Sequence, residues 1–243
     1  HQIREAYDAA RAAGRVYDVP KSPTARPNEA TGYAAQFPGD TARADTAATI
    51  AALDEAVGRI LDKLEALGLS GNTAVFFFAD NGGHPENRSE NGVLRDYKWS
   101  HYEGGIRVPF FAAYPGVFLG GTAYDKPVIT LDILPTVLDL AGVTPPDGLD
   151  GVSLVPYLKG DREGSPHESL YFLTGLEGAL IQDRSKLVVR RKGSAELYDL
   201  SKDLGEEDNL AAKDPKRASE MLATWKVWRA QMPEYRSRGK RDK

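Results

Sequence analysis

Asp80 and Asn81 close the run Phe76-Phe77-Phe78-Ala79-Asp80-Asn81-Gly82-Gly83, where an apolar stretch meets a carboxylate, a carboxamide and two glycines. Both side chains offer hard oxygen donors of the kind that bind Ca²⁺ or Mg²⁺. The glycines allow a sharp turn and a close approach by a ligand. Taken alone, the same dipeptides also read as an ordinary strand-to-loop turn. Seventeen residues beyond Asn81 stands Lys98, inside Asn91-Gly92-Val93-Leu94-Arg95-Asp96-Tyr97-Lys98-Trp99-Ser100-His101-Tyr102-Glu103-Gly104-Gly105-Ile106-Arg107-Val108-Pro109. Of the four histidines, His84 and His101 lie in or beside this loop, His1 stands at the start of the chain and His167 follows Pro166. Imidazole is the commonest side chain for proton transfer. His84 and His101 are candidates for contacts with substrate, whereas His167 reads as a surface residue.

The elements that must position these groups can be read from periodicity. Residues 74–79 form a short, wholly apolar run, expected as a buried strand of a parallel or mixed sheet. In open α/β sheets, ligands bind at the carboxyl end of such strands. Before it, Ile50, Leu53, Val57, Ile60, Leu61, Leu64 and Leu67 follow helical spacing, with Asp45 placed as N-cap and Gly68 as the residue that ends the helix. Residues 82–105 are glycine-rich, irregular and long enough to be a functional loop. Val108 to Tyr114 reads as a second buried strand. A helix follows around Pro135, ending at Gly142. Past residue 167 the texture changes to short runs, Ser169–Leu173, Gly178–Ile181, Leu187–Arg190 and Glu196–Leu200, expected as a small antiparallel sheet. Asp214-Pro215 opens a closing helix with Met221, Leu222, Trp225 and Trp228 on its inner side. Residues 1–45, broken by prolines and glycines, are expected as an extended excursion after a possible helix over 1–13. The fold class is therefore α/β: part of a mixed, largely parallel sheet flanked by helices over 1–166, then a smaller antiparallel sheet with its helix over 167–243.

Composition excludes several classes. A net charge of −4 argues against a nucleic-acid surface. The basic runs Arg190-Arg191-Lys192 and 236–243 lack interleaved aromatics and read as solvated surface. No apolar stretch nears the ~20 residues a membrane-spanning helix needs. With no cysteine, disulfides and thiolate metal sites are excluded.

The Asp80-Asn81-Gly82 strand end, followed by Asn91-x-x-Leu94-Arg95-x-x-Lys98 and Glu103-Gly104-Gly105-x-Arg107-x-Pro109, resembles the sulfatase family of the alkaline-phosphatase superfamily. Further pieces match in order: Asp54 to Leu61 with Leu67-Gly68-Leu69, Thr130 to Gly142, Asp150-Gly151-Val152-Ser153-Leu154 and Glu196-Leu197-Tyr198-Asp199-Leu200. The resemblance runs from about residue 46 to 230. It implies sulfate-ester hydrolysis, with Asp80 and Asn81 as part of a Ca²⁺ (or Mg²⁺) site and Lys98 on the sulfate and bridging oxygen. Arg95, His84 and His101 become candidate substrate contacts. His1 stands where the family often has an active-site histidine, although Gln2-Ile3 departs from the usual His-x-Pro. Glu103 and Arg107 are expected to form a structural ion pair.

The family also carries a Cys, or sometimes Ser, oxidised to formylglycine within Cys-x-Pro-Ser-Arg, and a metal-binding aspartate pair further upstream. Neither is present here. Ser22-Pro23-Thr24-Ala25-Arg26 echoes that signature only loosely, and its spacing to Asp80 is too short. The chain thus looks like the carboxyl-terminal half of such a protein, with the formylglycine expected from an amino-terminal half that would be its partner. The implied substrate is a sulfated small molecule or carbohydrate, and the implied compartment periplasmic, secreted or lysosomal. A phosphoester or phosphonate hydrolase of the same superfamily, or a non-catalytic binding module, are the other readings.

Overall fold

A computed structural model describes residues 41–85, 89–191 and 193–233. The expectations for His1, Ser22, the helix over 1–13 and the extended excursion up to residue 40 lie outside the described residues. Helix α1 spans Thr41–Ala66. Asp45 therefore lies inside the helix and does not cap it. Its carboxyl end closes as the sequence predicts. Gly68 takes the left-handed φ of +68°, while the Gly68 and Leu69 amides donate to the carbonyls of Glu65 and Leu64 at 2.9 Å each. This paired closure satisfies carbonyls that have no partner within the helix. Ile50, Leu53, Ile60 and Leu61 remain exposed, so no described element covers the apolar stripe of α1.

Strand β1 (Val75–Phe78) pairs antiparallel with β2 (Phe110–Ala113), Phe77 opposite Phe111 and Phe78 opposite Phe110. Among the described residues no strands pair in parallel. Among the described residues the strand is only partly buried: alternation puts Phe77 and Phe111 on one face, and no described element covers it. Phe111 is 63% exposed and Phe77 40%. The opposite face gathers Phe76, Phe78, Phe110 and Phe118, with Phe78 and Phe110 stacked at 5.7 Å.

Before β2 comes the four-residue α2 (Glu103–Ile106), and between β2 and the small sheet lie α3 (Ile133–Leu140) and α4 (Val155–Leu158). Asp132, completely buried, ties this region together. Its carboxylate accepts the Ile129 and Val152 amides at 2.9 Å each. His167 Nε2 lies 2.8 Å and 3.0 Å from the same two oxygens, and its side chain is 9% exposed. His167 is thus a structural partner of a buried carboxylate. Sequence proximity to Pro166 could not show this, because Asp132 is distant along the chain.

Strands β3 (Leu170–Thr174), β4 (Glu177–Gln182), β5 (Ser185–Val189) and β6 (Ala195–Asp199) form an antiparallel meander in that order. Helix α5 (Pro215–Arg229), capped by the Asp214 side chain accepting the Arg217 amide at 3.0 Å, covers one face. Leu180, Leu187, Val189, Leu197, Ala218, Met221 and Trp225 make the core there. Gly178 is required: a Cβ would lie 2.9 Å from the Trp225 ring. The other face is buried as well, beneath the loop that carries Lys98.

A loop knot on the second face of the sheet

Residues 79–85 and 89–109, in the connection between β1 and β2, fold back on one another. The Gly82 amide donates to Gly105 O at 3.0 Å, and the Gly104 amide to Arg95 O at 2.8 Å. Asn91 fastens the two halves: its Oδ1 accepts the Gly83 amide at 2.9 Å and its Nδ2 donates to Asp96 O at 2.8 Å. The Lys98 amide donates to Gly83 O at 2.9 Å. Backbones pass so closely that side chains cannot fit. A Cβ on Gly82 would lie 1.7 Å from Gly104 O, and one on Gly104 only 2.2 Å from Asp96 O. The glycines read at first as turn-formers are thus needed for backbone-to-backbone packing. Helix α2 (Glu103–Ile106) sits within the knot.

The knot presents Asp80, Asn81 and Lys98 to one open cleft of about 1600 Å³. Asp80 is exposed and its carboxylate makes no hydrogen bond or ion pair with a described residue. Asn81 spends its Nδ2 on Gly82 O at 2.9 Å, which leaves its carbonyl oxygen for a ligand. Lys98 is half-buried and forms no ion pair with Asp80 or any other described residue. A carboxylate and a carbonyl oxygen side by side fit one edge of a hard-cation site. They make an incomplete one, since Ca²⁺ takes 6–8 oxygens. No group of three or more His, Cys, Asp or Glu side chains that could hold a metal ion occurs among the described residues.

The other expected substrate contacts sit differently. Arg95 turns its guanidinium to packing: Nη1 donates to Tyr198 Oη at 2.9 Å and to Glu206 O at 2.7 Å, and the group lies 3.8 Å from the Tyr102 ring centroid. Substrate would have to displace these bonds, so Arg95 acts as an anchor between knot and sheet. His101 lines the cleft but is 7% exposed. Burial, with help from Lys186 and Arg190, holds its pKa below the ordinary value against the pull of Glu177, which favours the neutral ring. His84 meets Trp99 edge-to-face at 4.6 Å, beside Lys98.

Sequence reasoning missed the anchors under the knot. Lys186, on β5 and completely buried, reaches Glu103 Oε1 at 2.8 Å. Its Nζ also lies 2.9 Å from Glu206 Oε1, an ion pair without the alignment of a hydrogen bond. Glu206 Oε2 accepts the Glu103 amide at 2.6 Å. Burial pushes the Glu206 carboxyl up, against the opposing effect of Lys186. Beside them, Tyr102 and Tyr198 both donate to Glu196 Oε2. Burial and that carboxylate push both phenols up. Arg107, expected as the partner of Glu103, contacts it only at 3.4 Å and is half exposed. The stronger partner is Lys186. The signal available was the pair Lys186 and Val188 alternating with Leu187 and Val189, which places a lysine on a sheet face.

The chain is similar to known proteins in both sequence and structure. The family model described as Sulfatase matches residues 14–143, and one described as N-sulphoglucosamine sulphohydrolase, C-terminal, matches residues 94–227. A sulfatase of Formosa agariphila is 35% identical over 211 residues, covering 74% of this chain and 38% of the relative. Steryl-sulfatase of Rattus norvegicus is 36% identical over 146 residues, covering 56% of this chain and 25% of the relative. The structure of BT4656 in complex with its substrate D-glucosamine-2-N,6-O-disulfate superposes with a TM-score of 0.66 at 26% identity, over 77% of this chain and 40% of that one. The chain thus spans about a quarter to two fifths of the length of these relatives.

Proposed function

Because this chain belongs to the sulfatase family, we propose that it forms part of a sulfate-ester hydrolase, supplying metal ligands and the lysine that faces the sulfuryl group. The observation that carries this reading is the knot: it brings a strand-end Asp-Asn pair and Lys98 to one cleft while the Asp80 carboxylate, the Asn81 carbonyl oxygen and the Lys98 ammonium bond to no described residue. Asp80 and the carbonyl oxygen of Asn81 would hold one side of a Ca²⁺ or Mg²⁺ ion, with the remaining ligands supplied from outside the described residues. Such an ion, when bound, polarises a sulfuryl oxygen. Lys98 places a positive charge where the sulfuryl and leaving oxygens gain negative charge in the transition state. The knot holds the Lys98 backbone, through its amide bond to Gly83 O at 2.9 Å, at the wall of the cleft.

The 243 residues hold no cysteine, so a formylglycine made from cysteine would come from sequence beyond them. His1 remains the candidate acid on resemblance alone, and His84, packed edge-on against Trp99, a candidate substrate contact. A sulfated carbohydrate is the substrate class we favour, in line with the disulfated glucosamine bound by BT4656. A phosphonate hydrolase is the weaker reading, since curated sulfatases match at 35–36% identity while a phosphonate monoester hydrolase matches in structure at 24%.

The test uses the enzyme assembled with a formylglycine-bearing amino-terminal part. Lys98→Ala is expected to cut kcat on an aryl sulfate by about 10²–10³, the usual loss for one donor to a developing oxyanion, with the thermal transition unmoved. Unchanged kinetics would reduce Lys98 to a bystander.

A further inference from the structure

Trp99 is 71% exposed, the most exposed large apolar side chain among the described residues. It sits next to Lys98 on the wall of the same cleft, with Ser100 beyond it. Its backbone is held at a φ of +74°, a region that a bulky residue enters only when its surroundings force it. The preceding left-handed residue, Asp96 at +68°, is of a type that tolerates this conformation; tryptophan is not. Burial does not account for the strain, because the indole is mostly in solvent. The φ itself belongs to a turn, closed by the Ser100 amide donating to Tyr97 O at 3.1 Å with Trp99 in the third position, where glycine or asparagine would fit better; no ion pair or core packing offsets the cost of an indole there, since its N–H donates to no described residue and its one described ring contact is His84, edge-on at 4.6 Å. Strained backbone that presents an exposed aromatic into a cleft is the pattern expected of a ligand clamp.

We propose that Trp99 is a specificity-determining platform on which the sugar ring of a sulfated carbohydrate stacks while its sulfate reaches Lys98. The proposal rests on the functional reading above and adds the residue that selects the ring. An open indole face bordered by Asp80, Asn81, Lys98 and Ser100 suits a pyranose. Its C–H face lies on the aromatic surface, and its hydroxyls meet a polar rim. A steroid or simple aryl group would gain more from an enclosed apolar slot, because its affinity comes from area removed from water. His84, set edge-on, braces the indole against rotation. The knot holds the Lys98 amide on Gly83 O at 2.9 Å, so the backbones that carry platform and ammonium stay adjacent.

The experiment titrates the 243-residue chain with glucosamine 6-sulfate, glucosamine, phenyl sulfate and inorganic sulfate, following tryptophan fluorescence and ligand-detected NMR saturation transfer. Glucosamine 6-sulfate is expected to perturb the signal and show transfer to its ring protons. Both effects should vanish in Trp99→Ala, fall at least fivefold in Trp99→Leu and survive in Trp99→Tyr. Trp99→Asn should unfold at the same or a higher temperature than the parent, because asparagine accepts the left-handed backbone. A clear drop in its melting temperature would instead mark Trp99 as a packing residue and overturn the proposal. Ring transfer that persists in Trp99→Ala, no saccharide signal at all, or stronger transfer from phenyl sulfate than from the sugar would also overturn it. The sulfate reading fails separately: if glucosamine binds as well as its sulfate ester, or Lys98→Ala binds both equally to the parent, the platform stands and the role of Lys98 falls.

Discussion

Replacing Lys186 by methionine should cost more than any other single substitution on the sheet. The ammonium is wholly buried, 2.8 Å from Glu103 Oε1 and 2.9 Å from Glu206 Oε1. Methionine matches its length, so volume is roughly kept and the charge is what is lost. Glu103 retains Arg107 at 3.4 Å. Glu206 retains only the Glu103 amide on Oε2, and its Oε1 is left facing no cation. Breaking a buried pair from one side typically costs about 3–5 kcal/mol, because the remaining charge is uncompensated. We expect that loss at pH 7.5 in urea unfolding, followed through Trp225 and Trp228, which pack on the same sheet. Glu206 already has a raised pKa, and losing Lys186 raises it further. The cost should therefore shrink as the pH is lowered, because the carboxyl takes a proton and the charge disappears. Adding Glu206→Gln to Lys186→Met should restore most of the stability at pH 7.5. A single-variant loss under about 1 kcal/mol, or no recovery in the double variant, would refute the view that a buried charge cluster holds the knot to the sheet.

Other consequences are testable on the same chain. Gly104→Ala would bring a Cβ to 2.2 Å from Asp96 O and 2.4 Å from Arg95 O; backbone must move, so a loss of about 1–3 kcal/mol is expected. Gly92→Ala, with open space but a φ of +61°, should cost about 1 kcal/mol, and the ranking of the two is read from their urea midpoints. His101 has a folded pKa below its ordinary value, so the unfolded chain binds the proton first. Its contribution to stability is intact above about pH 6.5 and is lost as pH falls from there toward the lowered folded value. Subtracting the unfolding free energies of His101→Gln from those of the parent at pH 7.5, 6.0 and 5.0 should show a difference that declines with acid, and a flat difference would contradict the buried neutral imidazole.

The sequence made the site legible where chemistry and backbone demand coincide. Asp80-Asn81-Gly82-Gly83 needs both its donors and its glycines, and Asn91 through Pro109 needs particular residues at particular contacts, so the pattern survives in one dimension. The four strands past residue 167 and the helix from Pro215 were equally plain, because turn residues separate them and α5 begins with a capping Asp-Pro. What stayed hidden was which polar residues are buried. Lys186, Glu206 and His167 look like surface residues by type, and only partners distant in sequence remove them from water: Glu103, separated from both Lys186 and Glu206, and Asp132, 35 positions before His167. The apolar run ending at Phe78 misled in the other direction. Hydrophobicity shows that a strand has something to bury, while its pairing direction and cover depend on which neighbours are present.

The anchors of the knot are made late. Arg95 bonds to groups 103 and 111 positions further on, and Glu103 to a lysine 83 positions on. During synthesis at about 5–20 residues per second, Lys98 would leave the ribosome roughly 4–20 s before the strands that fix it are complete. Throughout that interval the site has its ligands but not its shape. A chain cut short before β5 would keep every candidate site residue of the loop and lose Lys186, Tyr198 and Glu206, the groups that tie the loop to the sheet.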